Sequence, residues 1–598
     1  MNLRASAVLA AILLLGACGG KEEQAVDTVT ESADAATTLH ALFDEYALRN
    51  LDLNPLNATF IGIPGYNDRM ANSLGSEHMA ASTAFNEEFL QRLLEIDREQ
   101  LSYDDQVSYD IFRIEREEEL EGDQFPGHLQ PVNQFRLVTN FFVQLGSGAS
   151  AQPFNTVKDY EDFLSRADDF VVLIDQAVTN MQEGIREGVV QPRILMAKAL
   201  PQIDAHIVDD VEDSNFYKPV ANMPEDFSAE DRERLTAAYE DKITGTIIPA
   251  FERLRNFIGD DYLEGARETV GMYALPNGDA WYKYNVRSIT TTDMTPDEIH
   301  EIGLAEVARI HEEMHGVMEE VGFEGDLKEF FEYMNTDPQF FFNEPEQLIQ
   351  GYRDMADHIN ELSKALFDIA PKTDFEVRRV EPFREKSASG GSYMAGTTDG
   401  TRPGVFYANA YDLSARPNWA MESLYLHEAI PGHHFQIMIQ RENESLPDFR
   451  RYGGFTAFIE GWGLYAESLG KEIGVYTDPY QYFGGLNAEL WRSIRLVVDT
   501  GIHAKGWTRQ QVLDYMYANS AVAEARAVSE AERFMAIPGQ ALAYKVGQLK
   551  IRAIRDDAEA RLGDQFDVKG FHRQVLQDGA MPLSMLEAKI DRWVESQL

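Results

Sequence analysis

Leu426-His427-Glu428-Ala429-Ile430-Pro431-Gly432-His433-His434-Phe435-Gln436 sets three histidines within eight residues, and a glutamate beside the first, in a chain with thirteen histidines. Neutral imidazole is the commonest metal ligand near neutral pH. A His-Glu pair followed one turn later by another His puts two ligands and a general base on one helix. Here Pro431 stands where the second His would be, so the pattern is stretched. On an undistorted helix His433, at i+6, points away, while His434, at i+7, returns to the same face about 10 Å further along. Pro431 removes a backbone donor and crowds the preceding turn, and Gly432 admits an unusual backbone. A bulge that absorbs two residues makes His433 the equivalent of the i+4 ligand. His427 and His433 are therefore the expected pair, with His434 as the alternative second ligand.

Working outward, a catalytic zinc takes three protein ligands and leaves one position for water. The next helical stretch, Gly454 to Glu467, offers the third. Glu460 follows His433 by 27 residues, and Gly461 and Gly463 cost a helix about 1 kcal/mol each unless close packing needs them. Glu467 shares the face of Glu460 and can orient a ligand histidine from behind. Further on, Arg495, Asp499 and His503 are spaced i, i+4, i+8 on one helical face. His503, oriented by Asp499, is a candidate donor to an oxyanion. In the Glu532 to Gly547 stretch, Tyr544 is a second oxyanion candidate and Arg533 a candidate for a substrate carboxylate.

Upstream, the Ser387 to Tyr411 stretch reads as two short strands turning at Asp399-Gly400. Its glycines would let a peptide backbone approach an exposed edge, with Tyr407 and Asn409 as candidate substrate contacts. His311-Glu312-Glu313-Met314-His315 is a formally perfect His-Glu-x-x-His. Its helix has an ordinary apolar stripe at Ile299, Gly303, Val307, Ile310, Met314, Val317 and Val321. The two histidines lie beyond that stripe among glutamates, on a solvent flank. Glu344, where a third ligand could be sought, sits at a helix start with Pro345 behind it.

Most of the chain from Thr38 to about Asp279 has apolar positions recurring at three and four, which predicts helices over 39–51, 80–100, 104–121, 157–187 and 229–258. The 124–153 stretch reads as a long loop. Ala280–Thr291 alternates like a strand and joins two halves, and Thr295-Pro296 opens another long helix.

The chain starts with Met1-Asn2-Leu3-Arg4 and a short apolar run ending at Leu15, the pattern of a secretory signal. Leu15-Gly16-Ala17-Cys18 resembles the bacterial lipobox, and Cys18, the only cysteine, is the expected site of lipid attachment. Gly19 after it leans towards the outer membrane, by resemblance to lipoprotein sorting rules. Residues 21–38 read as a flexible tether. The remaining chain, about 560 residues, is long enough for a large core or two packed halves. A net charge of −47 argues against nucleic-acid binding, which needs a basic footprint.

His427 to His434, Glu460-Gly461-Trp462, Asp499 to His503 and Pro538 to Lys545 together resemble the bacterial "domain of unknown function 885" family. That family is similar to zinc peptidases of the thimet-oligopeptidase and carboxypeptidase Taq kind (gluzincins), which are largely helical with a deep cleft between two halves. The resemblance implies peptide hydrolysis at one zinc per chain. The expected fold is mostly α-helical, with two helical lobes around a deep cleft and a small β-hairpin or sheet beside the metal site. The expected divisions are a signal at 1–17, lipidated Cys18 and tether to 38, an N-terminal lobe at 39–290, and a C-terminal lobe at 291–598 carrying the metal.

The expected activity is a periplasmic metallopeptidase of short peptides in a Gram-negative envelope, held to the membrane by its lipid alone. Zinc sits on His427, His433 and Glu460, Glu428 is the base, and His503 or Tyr544 serves the oxyanion. The alternatives are a zinc amidohydrolase of non-peptide amides and a catalytically idle binding lipoprotein of the same fold.

Overall fold

A computed structural model describes residues 23–598 apart from Ala149, 382–384, 386–387, Asp399 and Thr401, with side chains from Asp34 onward. The signal sequence and Cys18 lie outside the described residues. Helices carry most of the chain, as the three-and-four periodicity requires. The helix Val157–Glu187 buries Tyr160, Phe163, Ala167, Phe170, Ile174, Ala177 and Met181 along one stripe. Thr156 and Asp159 close its first turn as a reciprocal capping box. The helix Pro296–Glu320 starts at Pro296 behind a Thr295–Glu298 capping box.

Three elements differ from the sequence reading. Ala280–Thr291 is not a strand but part of the helix Gly278–Thr290, which buries Tyr282, Val286 and Thr290. Its aromatic and β-branched composition resembles a strand, yet burial at four-residue spacing decides for helix. The segment read as a tether is helical from Glu23 and continues to Leu53. It contains no Gly or Pro between 23 and 38, and Ala35 and Ala36 already pack on the cluster of Leu39, Phe43, Phe89 and Phe112. The 124–153 stretch contains a helix of its own, Val138–Gly146, whose Phe142 stacks on Phe170 at 3.9 Å.

The expected hairpin is part of a three-stranded sheet among the described residues. Strands β1 (Phe375–Arg379), β2 (Gly391–Met394) and β3 (Gly404–Ala408) lie in the order β1-β3-β2, with β1 parallel and β2 antiparallel to β3. The central strand β3 is buried throughout. Phe406 faces the large core beside Tyr352, while Val405 and Tyr407 face a small cluster with Val380.

The cores do not separate at residue 290. One draws on residues 70–266. The helices Ser76–Leu94 and Tyr103–Gly122 form another with the start of the chain, and this one packs on Phe449. Phe43 and Phe112 meet the Phe449 ring at 4.8 and 5.3 Å, and Arg450 donates to the Ser108 hydroxyl at 3.1 Å. The largest core gathers the sheet and the helices Met421–Glu428, Thr456–Ser468 and Ala543–Leu562. The last two cross so closely that a Cβ on Gly461 would lie 2.5 Å from the Gly547 Cα.

Candidate metal centre

The stretched motif is not a bulged helix. The helix Met421–Glu428 stops at Glu428, the chain turns through 429–432, and a new helix, His433–Glu442, begins at His433. Gly432 makes the turn possible, because a Cβ there would sit 2.0 Å from the His427 carbonyl oxygen. The Trp462 indole N–H donates to the Pro431 carbonyl at 2.7 Å, tying the turn to the helix Thr456–Ser468. That helix brings Glu460 against both rings. Gly463 leaves room for His427, since a Cβ there would stand 2.7 Å from the imidazole.

The Nε2 atoms of His427 and His433 each lie 3.5 Å from Glu460 Oε2. The two rings are 4.6 Å apart between centroids at 77°. These three residues form the one group of ligand type that converges to metal-binding spacing among the described residues. Two ligands of a tetrahedral zinc with bonds of about 2.0–2.1 Å stand roughly 3.4 Å apart. The spacing and the N, N, O donor set therefore fit such an ion. The side of the group away from the protein is open enough to leave Glu460 about one-fifth exposed.

Behind His427, Glu467 Oε1 lies 2.8 Å from Nδ1, as expected for a carboxylate that sets the tautomer of a ligand. The other oxygen of Glu467 accepts from the Ser423 hydroxyl, and the Arg492 guanidinium stands 3.4 Å from Oε1. Burial alone would lower the His427 pKa, but Glu460, Glu467 and Glu428 outweigh it and raise it to about 10. Burial would raise Glu460, and the two imidazoles instead hold it well below the usual carboxylate range. Glu428 is buried next to His427, and its charge also reaches the Tyr352 hydroxyl.

His434 does not join the group. It is buried against Phe375, its Nδ1 is 2.9 Å from the Tyr393 hydroxyl, and burial pushes it down to about 4. His503 is also elsewhere. Its Nε2–H donates to the Phe534 carbonyl at 2.9 Å, and its Nδ1 accepts from the Met272 N–H at 3.1 Å. The expected Asp499–His503 pairing is replaced, because Asp499 accepts from the Tyr282 hydroxyl at 2.6 Å and from the Gly539 N–H. Both residues lie on one face of the helix Pro479–His503, and that face meets a packed interior.

Tyr544 is half-buried on the helix that runs along Thr456–Ser468, with Arg495 4.7 Å from its ring. Arg533 donates to Gln540 at 2.6 Å and to Glu530. Asn409 is fully committed: its amide donates to the Glu385 and Ala388 carbonyls and its oxygen accepts from the Tyr411 N–H. Tyr407 is buried in the small cluster behind β3. Neither side chain is placed to contact a substrate. The 311–315 motif gathers no third residue of ligand type among the described residues, and His311 Nε2 pairs with the Asn519 carbonyl at 2.9 Å.

The sequence reading missed Ser423 and the clearance given by Gly463. Ser423 stands four residues before His427, so helical spacing already carried that signal.

No curated protein matches the chain. A crystal structure from Colwellia psychrerythraea described as a "putative lipoprotein" is similar at 27% identity, with a TM-score of 0.86 over 94% of this chain and 99% of that one. A "putative lipoprotein of unknown function" from Shewanella oneidensis, at 18% identity, shares the fold with a TM-score of 0.73 over 92% and 99%. The family model described as bacterial protein of unknown function (DUF885) matches residues 55–590, and this chain belongs to that family.

Proposed function

We propose that this chain is a zinc-dependent hydrolase of peptide bonds that acts on short peptides. The observation that carries the reading is the convergence of His427 Nε2, His433 Nε2 and Glu460 Oε2, with Glu428 adjacent and Glu467 behind. Zinc held by these groups would supply a Lewis acid, lowering the pKa of a water and polarising a carbonyl. Glu428 accepts the proton of the attacking water and returns it to the leaving amine. Glu467 keeps the Nδ1 proton of His427 in place, so that Nε2 stays available as a donor pair. The Tyr544 hydroxyl donates to the developing oxyanion. The lipobox pattern at Cys18 and the lipoprotein descriptions of the two similar structures support a setting for this activity: a lipid-anchored protein on the periplasmic face of the outer membrane. Among the described residues no helix is long and apolar enough to cross a membrane.

The test is metal analysis of the purified chain together with a mixed peptide library read by mass spectrometry. One zinc per chain is expected, lost in His433→Ala and kept in His311→Ala. Glu428→Gln is expected to keep the metal and lose cleavage by at least about a hundredfold. Zinc that follows His311, or no cleavage of any peptide by the zinc-loaded chain, would overturn the reading.

A further inference from the structure

Four arginines converge next to the candidate metal centre in a chain whose net charge is −47. Arg492 and Arg495 come from the helix Pro479–His503, and Arg526 and Arg533 from the helix Glu524–Ala536. The Glu530 carboxylate stands among them. It accepts from Arg495 at 3.1 Å, Arg533 at 3.3 Å and the Trp491 indole at 3.3 Å. Arg526 lies over the Trp491 ring at 5.2 Å, and Arg492 and Arg495 approach the Tyr544 ring at 6.0 and 4.7 Å.

Glu467, beside Arg492, is the second carboxylate in reach, so two carboxylates face four guanidiniums and Glu467 is itself shared with His427. Arg495 is 7% exposed, and its Nε and Nη1 have no hydrogen-bond partner; the Nε of Arg492 is in the same condition. Buried guanidinium donors are ordinarily satisfied, so these mark a place where a ligand brings the acceptors. The planar fork of arginine matches a carboxylate with two parallel bonds.

The cluster borders the candidate metal centre through Arg492. Arg492 stands 3.4 Å from the Glu467 oxygen that lies 2.8 Å from His427.

We infer that Arg492, Arg495, Arg526 and Arg533 form a subsite for a carboxylate of the substrate, supplied either by a peptide C-terminus or by an acidic side chain. The inference rests on the peptidase reading for the identity of the ligand. A C-terminal carboxylate held there would make the enzyme an exopeptidase trimming peptides from that end.

Calorimetry on the zinc-loaded Glu428→Gln chain tests it, with Ala-Ala-Ala, its C-terminal amide, and Ala-Ala-Glu amide as ligands. The free acid is expected to bind at least tenfold tighter than the neutral amide. Tight binding of the Glu amide as well would assign the subsite to any carboxylate. The preference should disappear in Arg495→Met and fall in Arg526→Ala, whose side chain is exposed and leaves the fold intact, while the neutral amide binds as before. Equal affinity for all three ligands, or a preference kept by both variants, would overturn the inference. Cleavage of free acid and amide at the same rate by the wild type would also remove the subsite but leave the peptidase reading standing. Carboxylate-selective binding with no cleavage by the wild type would do the reverse.

Discussion

At the scale of single residues, Glu467 is the most informative position. It is buried and receives the Ser423 hydroxyl and the Arg492 guanidinium while facing His427 Nδ1. Glu467→Gln keeps the shape and the hydrogen bond to Ser423 but removes the negative charge behind His427. Zinc affinity is expected to fall about 10- to 100-fold, measured by competition with a chelator, and thermal unfolding without metal should change much less. An unchanged affinity would mean that Glu467 serves packing alone. His434 teaches the converse. It adjoins His433 in sequence, yet the new helix that begins at His433 turns the two rings to different sides, towards Glu460 and towards Tyr393.

At the scale of elements, the candidate metal centre is assembled by two helices, Met421–Glu428 and Thr456–Ser468, and the start of a third. Their register depends on close backbone approach, at Gly432 against the His427 carbonyl and at Gly461 against Gly547. The helices at the start of the chain are coupled to this part through aromatic packing. Phe112 is fully buried, 5.2 Å from Phe43 and 5.3 Å from Phe449 between ring centroids. Phe112→Ala is expected to cost about 3–5 kcal/mol of stability, read by denaturant unfolding. A cost below about 1 kcal/mol, the range of an uncritical surface change, would show that the first helices dock without contributing to the fold.

At the scale of the whole molecule, buried titratable groups tie stability to pH. The His572 Nδ1–H donates to the Leu366 carbonyl at 2.9 Å, its Nε2 accepts from the Tyr465 hydroxyl at 2.9 Å, and the ring stacks on Phe367 at 4.5 Å. Burial lowers its pKa to about 4, and that of His503 to about 3. Both rings are neutral in the fold, whereas in the unfolded chain a histidine titrates near 6.5. Their contribution is therefore complete above about pH 6.5 and is lost as pH falls towards 4, at up to about 1.4 kcal/mol per pH unit for each. Asp499, Glu115 and Glu118, which burial raises to about 7, act in the opposite sense, losing stability as pH rises from 4. The histidine contribution is thus best read as a difference. The stability gap between wild type and His572→Gln should narrow by up to about 1.4 kcal/mol when pH drops from 6 to 5. A constant gap would mean that the ring is charged in the fold.

The sequence by itself determined the helical class, the bounds of the helices Tyr103–Gly122 and Val157–Glu187 to within a residue, and His427 and Glu460 as two members of the converging group. Apolar periodicity, capping residues and ligand chemistry are local properties that neighbouring residues already express. It also located Glu467, because i+7 on one helix is a local geometry. What only the tertiary structure decided is where those faces point. His503 and Asp499 shared a face as predicted, but that face meets Met272, Tyr282 and Gly539 from distant parts of the chain. Gly278–Thr290 is a helix although its composition suits a strand, because Tyr282 and Val286 find a core alongside Leu542 and Val546. The choice of His433 over His434 depended on a turn whose shape is set by Trp462, 31 residues away. Long-range packing chooses among local possibilities, and its partners are not written beside the residues they select.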